Sequence, residues 1–226
     1  MSRGVLVTGG SRGIGAAIAD AFREQGDRVI ALSSADVDLA DPEAVARTVT
    51  AATGELGAID VLVNNAGLVE LGSLAGTSYD EWQSLWRRTF DVNVFGAANM
   101  SYRVAHHMIE RGVRGRIVNV GSRGAFRGEP DMPAYGASKA ALHSLGQSLA
   151  VALAPHGIAV TSVAPGFVAT DRVSDMVTDE VRAQSPFNRV AEPEEVAAAV
   201  VYLASPAAEW ASGTVLDLNG ASHLRT

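Results

Sequence analysis

Short apolar runs alternate with longer segments of helical spacing from one end of the chain to the other. The runs Val5–Thr8, Arg28–Leu32, Ile59–Val63, Arg116–Val120, Ala159–Val163 and Val215–Leu218 read as strands. They are continuously apolar rather than alternating, as expected of strands covered on both faces. Helical spacing runs over Ile14–Gln25, from Asp41 onward, from Ser78 towards Glu110, over Ala134–Ala154, and from Glu192 to near Ala204. Local signals mark the ends. Gly26 closes the first helix as a C′ residue. Asp41-Pro42-Glu43 offers an N-cap, a proline at the first helical position and an acid in the first turn. Ser78-Tyr79-Asp80-Glu81 is a capping box, and Pro155 and Gly157 end the long helix before them. Alternation of this kind predicts an α/β protein, a parallel sheet with helices on both faces. No repeat, linker or low-complexity tract interrupts it, so residues 1–226 are expected to form one doubly wound domain. Residues 171–190 are polar and the least regular, and are expected to be a substrate lid at the carboxyl ends of the strands, where such folds bind ligands.

Composition narrows the picture. The chain has 226 residues, and α/β folds of roughly this length commonly form one domain, burying about 70% of the extended-chain surface. The 25 acidic residues outnumber 18 Lys+Arg, giving a net charge of −7, which argues against nucleic acid as a partner. Without cysteine there is no disulfide framework, thiolate metal site or cysteine nucleophile. No signal-peptide pattern opens the chain, and no apolar run approaches the ~18 residues of a membrane span, so a cytoplasmic protein without membrane contact is expected. The histidines show no metal-binding spacing: His106 and His107 are adjacent and so point apart on a helix, and no metal site is expected.

The first strand runs into Thr8-Gly9-Gly10-Ser11-Arg12-Gly13-Ile14-Gly15 and then a helix. Glycines at 9, 13 and 15 permit a tight turn, close backbone approach and close helix packing, and the helix N-terminus presents free N–H groups to a pyrophosphate. Downstream lie Asn64-Asn65-Ala66-Gly67, Asp91-Val92-Asn93-Val94, Asn119-Val120-Gly121-Ser122, Tyr135-Gly136-Ala137-Ser138-Lys139, and Pro165-Gly166 leading to Thr170. Tyr135 and Lys139 are four apart at a helix start and share a face. A lysine ammonium beside a phenol favours phenolate, which brings the group towards acid–base work near neutrality. The hydroxyl of Ser122, at a strand end, suits stabilisation of charge developing on a carbonyl oxygen.

In this order and spacing the motifs resemble those of the short-chain dehydrogenase/reductase family along nearly the whole chain. The resemblance implies a Rossmann-type fold with a parallel sheet of about seven strands, and a catalytic group of Asn93, Ser122, Tyr135 and Lys139. In that family the tyrosine matching Tyr135 protonates the carbonyl oxygen, the lysine matching Lys139 also binds the nicotinamide ribose, the serine holds the substrate oxygen and the asparagine helps to hold a relay water. The implied cofactor contacts are Gly9, Ser11, Arg12, Gly13, Ile14, Gly15, Ser33, Ser34, Asp38, Leu39, Asn65, Ala66, Gly67, Tyr135, Lys139, Pro165, Gly166, Val168 and Thr170. Thr8 is expected to brace the glycine turn and Asn64 to bond between strands.

No acid stands at Ser33 or Ser34, where NAD enzymes of this fold place one, and Arg12 offers a guanidinium to a 2′-phosphate. This favours NADP(H) over NAD(H), although Asp36 lies close by and the basic residue common at the position of Ser34 is missing. The substrate is expected to border Ser122, Arg123, Phe126, Met132, Tyr135 and Phe167. The run Pro186–Val196 resembles that of 3-oxoacyl carrier-protein reductases. Reduction of a 3-oxoacyl thioester or related ketone is therefore implied, with the substrate on an acyl carrier protein or coenzyme A, in a homotetramer or homodimer. An NAD-dependent secondary-alcohol dehydrogenase is the rival reading, and a non-catalytic dinucleotide sensor or scaffold the more distant one. Arg111, Arg114 and Arg116 form either a carrier-protein patch or an ordinary solvated charge run. The chain is short for the family, and the shortfall falls in Ala35–Ala40, where a connecting helix is expected to be missing or collapsed.

Overall fold

The computed structural model describes residues 2–225. Six strands form one sheet: β1 (Gly4–Thr8), β2 (Arg28–Leu32), β3 (Val61–Asn64), β4 (Arg116–Val120), β5 (Ala159–Pro165) and β6 (Val215–Leu218). Their order is β2-β1-β3-β4-β5-β6, and every neighbouring pair is parallel. The helices are α1 (Gly13–Glu24), α2 (Pro42–Leu56), α3 (Tyr79–Phe90), α4 (Ala97–Arg111), α5 (Pro133–Leu153), the short α6 (Asp179–Arg182) and α7 (Pro193–Leu203).

The sheet is apolar along every strand because alternate residues enter different cores. Leu6, Leu62, Ile117 and Val160 meet Val45 and Val49 of α2 and Met100, Val104 and Met108 of α4. Val5, Val7, Val61, Val63 and Val118 meet Ile18 and Phe22 of α1 and Val196 and Val200 of α7. Each such buried side chain contributes about 1.5–3 kcal/mol of transfer free energy, so a polar residue on either face of a strand is costly.

The terminal signals act as read. Asp41 Oδ1 accepts the Glu43 N–H at 2.8 Å, and the Ser78–Glu81 capping box is closed in both directions. β3 begins at Val61 rather than Ile59, because Asp60 turns its carboxylate onto the Gly4 N–H at 2.6 Å, at the amino end of the strand. The expected helix from Ser78 towards Glu110 is two helices joined by a π-helical turn, Asp91–Gly96.

The sheet has six strands, not about seven. Residues 33–41 carry the chain from β2 straight to α2, where a crossover to a further parallel strand needs about a dozen residues or more. The missing unit is thus a helix together with a strand, and β2 is the outermost strand. In its place is a tight turn: Asp36 and Val37 donate their N–H groups to the Ser33 carbonyl at 3.1 and 3.2 Å, and Val37 and Leu39 pack into the core beside α2. All six strands end on the same side, which puts Thr8, Asn64, Val120 and Pro165 at one rim.

Candidate active site

A cleft of about 660 Å3 runs along that rim, from Ser33 and Ser34 at one end to Phe167 and Met176 at the other. Every residue expected at the cofactor or substrate lines it, apart from Phe126; of the catalytic four, only Asn93 stays behind the wall.

At one end stands the glycine turn. Gly9 and Gly13 have φ of +64° and +54°, conformations that L side chains rarely adopt. Gly15 has no room for a side chain: a Cβ there would lie 2.1 Å from the Gly9 carbonyl oxygen. The Thr8 hydroxyl accepts the N–H groups of Asn65 and Ala66, both at 3.1 Å, and the Asn65 side chain donates to the carbonyls of Thr8 and Gly9 at 3.0 and 2.9 Å. Asn65 therefore faces the cleft but spends its amide on the turn. Asn64 bonds Ser101 and Asn119, both at 2.9 Å, as a cross-strand tie. The N-terminus of α1 has no side-chain cap and no acid in its first turn, so its unpaired N–H groups remain open to an anion. The Thr170 methyl lies over this cradle, where a Cβ on Gly13 would meet it at 3.1 Å. These features fit the diphosphate of a dinucleotide.

At the other end, Lys139 is 3% exposed and donates to the Val120 carbonyl at 2.9 Å. Its Nζ lies 5.7 Å from the centre of the Tyr135 ring, and a Cβ on Gly67 would meet it at 3.2 Å. Ser122 accepts the Gly124 N–H at 3.0 Å, which directs its own O–H elsewhere. Asn93 is buried in the π-helical turn. Its amide donates to the Leu68 carbonyl and to Ser138 Oγ, both at 3.0 Å, and accepts the Leu68 N–H at 2.7 Å. Ser138 in turn donates to the Tyr135 carbonyl at 2.7 Å. Asn93 thus braces the loop after β3 against the helix carrying Tyr135. The local distortion of helix geometry is what aims it there.

Phe126 does not reach the cleft. It is stacked between the guanidinium of Arg225, 4.4 Å from its centre, and the ring of His143 at 5.3 Å. Residues that the sequence did not single out also line the site: Val92, Leu68 and Val69 beside the motif loop, Glu129 after Ser122, and Asp171, Val173 and Met176 from the irregular stretch. Only that last group carried a signal, its place after a strand's carboxyl end. Of the three arginines 111, 114 and 116, the last two share Glu209 at 3.0 Å, so much of that charge is paired within the chain. Among the described residues no cluster is placed to hold a metal ion, and no helix is long and apolar enough to cross a membrane.

His143, 3% exposed, lies against Gly121. Burial pushes its pKa down to about 4; the backbone of Ser122 opposes this without a well-formed hydrogen bond, and the charges of Lys139 and Arg225 add to it. A histidine held neutral in the fold binds its proton more readily when unfolded, so its contribution is complete above about pH 6.5 and is lost as pH falls towards 4. Urea unfolding should show the protein losing up to about 3 kcal/mol over that window. In His143→Phe the slope between pH 6.5 and 4.5 should flatten; an unchanged slope would assign the loss to other groups.

A diphosphate cradle at one end of the cleft and a Ser–Tyr–Lys group at the other define a dinucleotide-dependent oxidoreductase. Residues 33–223 match the family model described as Enoyl-(Acyl carrier protein) reductase, and the chain belongs to the short-chain dehydrogenase/reductase family, enzymes acting on CH–OH and C=O groups. The 3-oxoacyl-acyl-carrier-protein reductase FabG of Vibrio cholerae is 34% identical over 241 aligned positions, covering 97% of this chain and 96% of that one. The alignment is longer than this chain, so part of that protein has no counterpart here. The 3-ketoacyl-acyl-carrier-protein reductase of Brucella melitensis, solved with NADH, superposes with a TM-score of 0.90 at 27% identity, covering 98% of each chain. The ligand-free aldohexose dehydrogenase of Thermoplasma acidophilum gives 0.90 at 33% identity, covering 100% of this chain and 95% of that one.

Proposed function

We propose that the protein reduces a ketone with NADP(H), Tyr135 delivering the proton. The observation that carries this reading is the convergence of Ser122, Tyr135, Lys139 and Gly67 on one stretch of a cleft whose other end is the glycine cradle. When bound, the nicotinamide supplies hydride to the carbonyl carbon. Ser122 donates its O–H to the substrate oxygen and stabilises the charge that develops there. Tyr135 gives its phenolic proton to the same oxygen, and the ammonium of Lys139 steadies the phenolate left behind. Lys139 also reaches the ribose hydroxyls, while Asn93 holds the loop and the tyrosine helix in register. Residues 171–190 close over the substrate, with Val173 and Met176 as the apolar underside. A 3-oxoacyl thioester on acyl carrier protein or coenzyme A is the first substrate class to try, as the FabG relative suggests. Phe95, Tyr102 and Val151, all exposed on or beside α4 and α5, offer apolar contacts for a homotetramer or homodimer.

The cofactor preference rests on the β2 end. The carboxylate nearest in sequence to Ser33 and Ser34, Asp36, lies outside the cleft lining and accepts the N–H and O–H of Ser33 at 2.7 and 2.6 Å, while Asp38 lies in the lining. Asp36 is therefore a turn brace, not a ribose ligand. Ser34 and Arg12 are exposed and line the cleft, and they hold the 2′-phosphate. The test compares NADPH with NADH, by turnover on 3-oxoacyl thioesters and by fluorescence titration of binding. NADPH should bind more tightly, and Arg12→Glu should weaken it about tenfold to hundredfold while moving NADH much less. A strong NADH preference in the unmodified protein would instead favour the alcohol-dehydrogenase reading.

A further inference from the structure

Beyond Ser122 the cleft is walled mainly by Met132, Phe167, Val173 and Met176, with Arg123 and Glu129 among them. Arg123 is 4% exposed and lies over the Phe167 ring, 5.2 Å from its centre. Its Nη2 donates to Gln184 Oε1 at 2.6 Å, and Arg127 donates to the same oxygen at 3.3 Å. The two arginines also share Ser222, through its hydroxyl at 2.5 Å and its carbonyl at 3.5 Å. Both guanidiniums thus converge on neutral acceptors.

The carboxylate paired with them is Glu129, 3.8 Å from Arg123 and 4.0 Å from Arg127, beyond hydrogen-bond reach of either. Of the other carboxylates nearby, Asp217 is paired to Arg225 at 2.8 Å and Glu195 to Arg189 at 2.6 Å, while Asp171, also in the cleft lining, forms no ion pair with Arg123 or Arg127. Two cations therefore face one loosely held anion. Burial and the neighbouring Arg127 both disfavour the charge on Arg123. A buried charge without a close counter-ion is an expensive arrangement unless something else completes it.

We propose that Arg123, backed by Arg127, receives a carboxylate of the carbonyl substrate, and so sets substrate choice. The planar fork of a guanidinium matches a carboxylate in two parallel hydrogen bonds. The excess is one positive charge, which a carboxylate balances and a dianionic phosphate would overshoot. This rests on the ketone-reductase reading and narrows it to substrates that carry a free carboxylate beside the ketone, which the thioester of a simple 3-oxo fatty acid lacks.

The test measures NADPH oxidation with 4-oxopentanoate, 5-oxohexanoate and 7-oxooctanoate, each beside its methyl ester, because chain length sets the span from carbonyl to Arg123. At least one acid should exceed its ester in kcat/KM by about tenfold to hundredfold. Arg123→Gln should raise KM for that acid about tenfold more than KM for its ester, and Arg123→Lys, which keeps the charge, should recover part of the difference. A second readout is thermal: with NADP+ present, the preferred acid should raise Tm and its ester should not, and Arg123→Gln should abolish the rise. Equal kcat/KM within every pair overturns the proposal. So does a substitution that slows acid and ester alike, because a residue that only ties the lid segment to the chain end would do that. If no carbonyl compound of any kind is reduced, the reductase reading fails, and the thermal arm decides the carboxylate site separately.

Discussion

Tyr135→Phe should keep its cofactor and lose its turnover, by about 10²–10⁴-fold, the usual contribution of a positioned proton donor. The substitution removes one oxygen. The Phe ring keeps the packing at the start of α5 and the 5.7 Å approach of the Lys139 ammonium. The glycine cradle and the β2 turn lie at the far end of the cleft, so NADPH binding by fluorescence titration should change by less than about threefold, under about 0.7 kcal/mol. Lys139→Met makes the informative contrast. On the proposed roles, in which the ammonium serves both the ribose and the phenol, it should impair both binding and turnover. If Tyr135→Phe retained more than a tenth of the activity, the proton would have to come from another group, the Ser122 hydroxyl in the same cleft being the first to test.

Gly15→Ala should be nearly as damaging, at the opposite end. A methyl there would sit 2.1 Å from the Gly9 carbonyl oxygen and 2.4 Å from Asn65 Nδ2. The first is backbone, and the second is the amide that bonds the carbonyls of Thr8 and Gly9. Neither can yield alone, so the turn must open and α1 must move off the sheet. Overpacking of this kind costs about 1–3 kcal/mol, a fall in Tm of about 2–12 °C for a chain of this size. Cofactor affinity should fall further than stability does, by about a hundredfold, because the anion loses aligned N–H donors as well. A variant that melts lower yet binds NADPH normally would show the cradle to be scaffold only. Gly54→Ala is the control, since nothing lies within 4 Å of a Cβ built there and its backbone is that of the α2 helix.

The two ends of the cleft were legible in the sequence for the same reason. Most of their residues follow strand ends directly, so position along the chain fixes position in space, and Tyr135 and Lys139 show themselves by their four-residue spacing at the start of α5. The strands were legible because both faces are covered and each therefore reads as an unbroken apolar run. What was not legible depends on partners distant in sequence or on turn geometry. Phe126 looks like a substrate residue until Arg225 arrives from the far end of the chain to stack on it. The donors of Arg123 find Gln184 and Ser222, 61 and 99 residues away. The role of Asp36 hangs on a single turn that folds its carboxylate back onto Ser33. The short connection after Ser34 was visible as a missing helix. That a strand goes with it follows only from the order of the sheet.

That loss has a consequence for how the protein behaves in concentrated solution. With no strand beyond β2, the outward N–H and C=O groups of Arg28–Leu32 form an open seam. Such a seam can recruit an extended segment from another chain and begin aggregation. Two features of the seam guard against it. It is only five residues long, and it opens on the exposed charge of Arg28, which resists stacking against its own copy. Arg28 thus protects solubility at the border where the shortened fold ends, at a distance from any chemistry in the cleft.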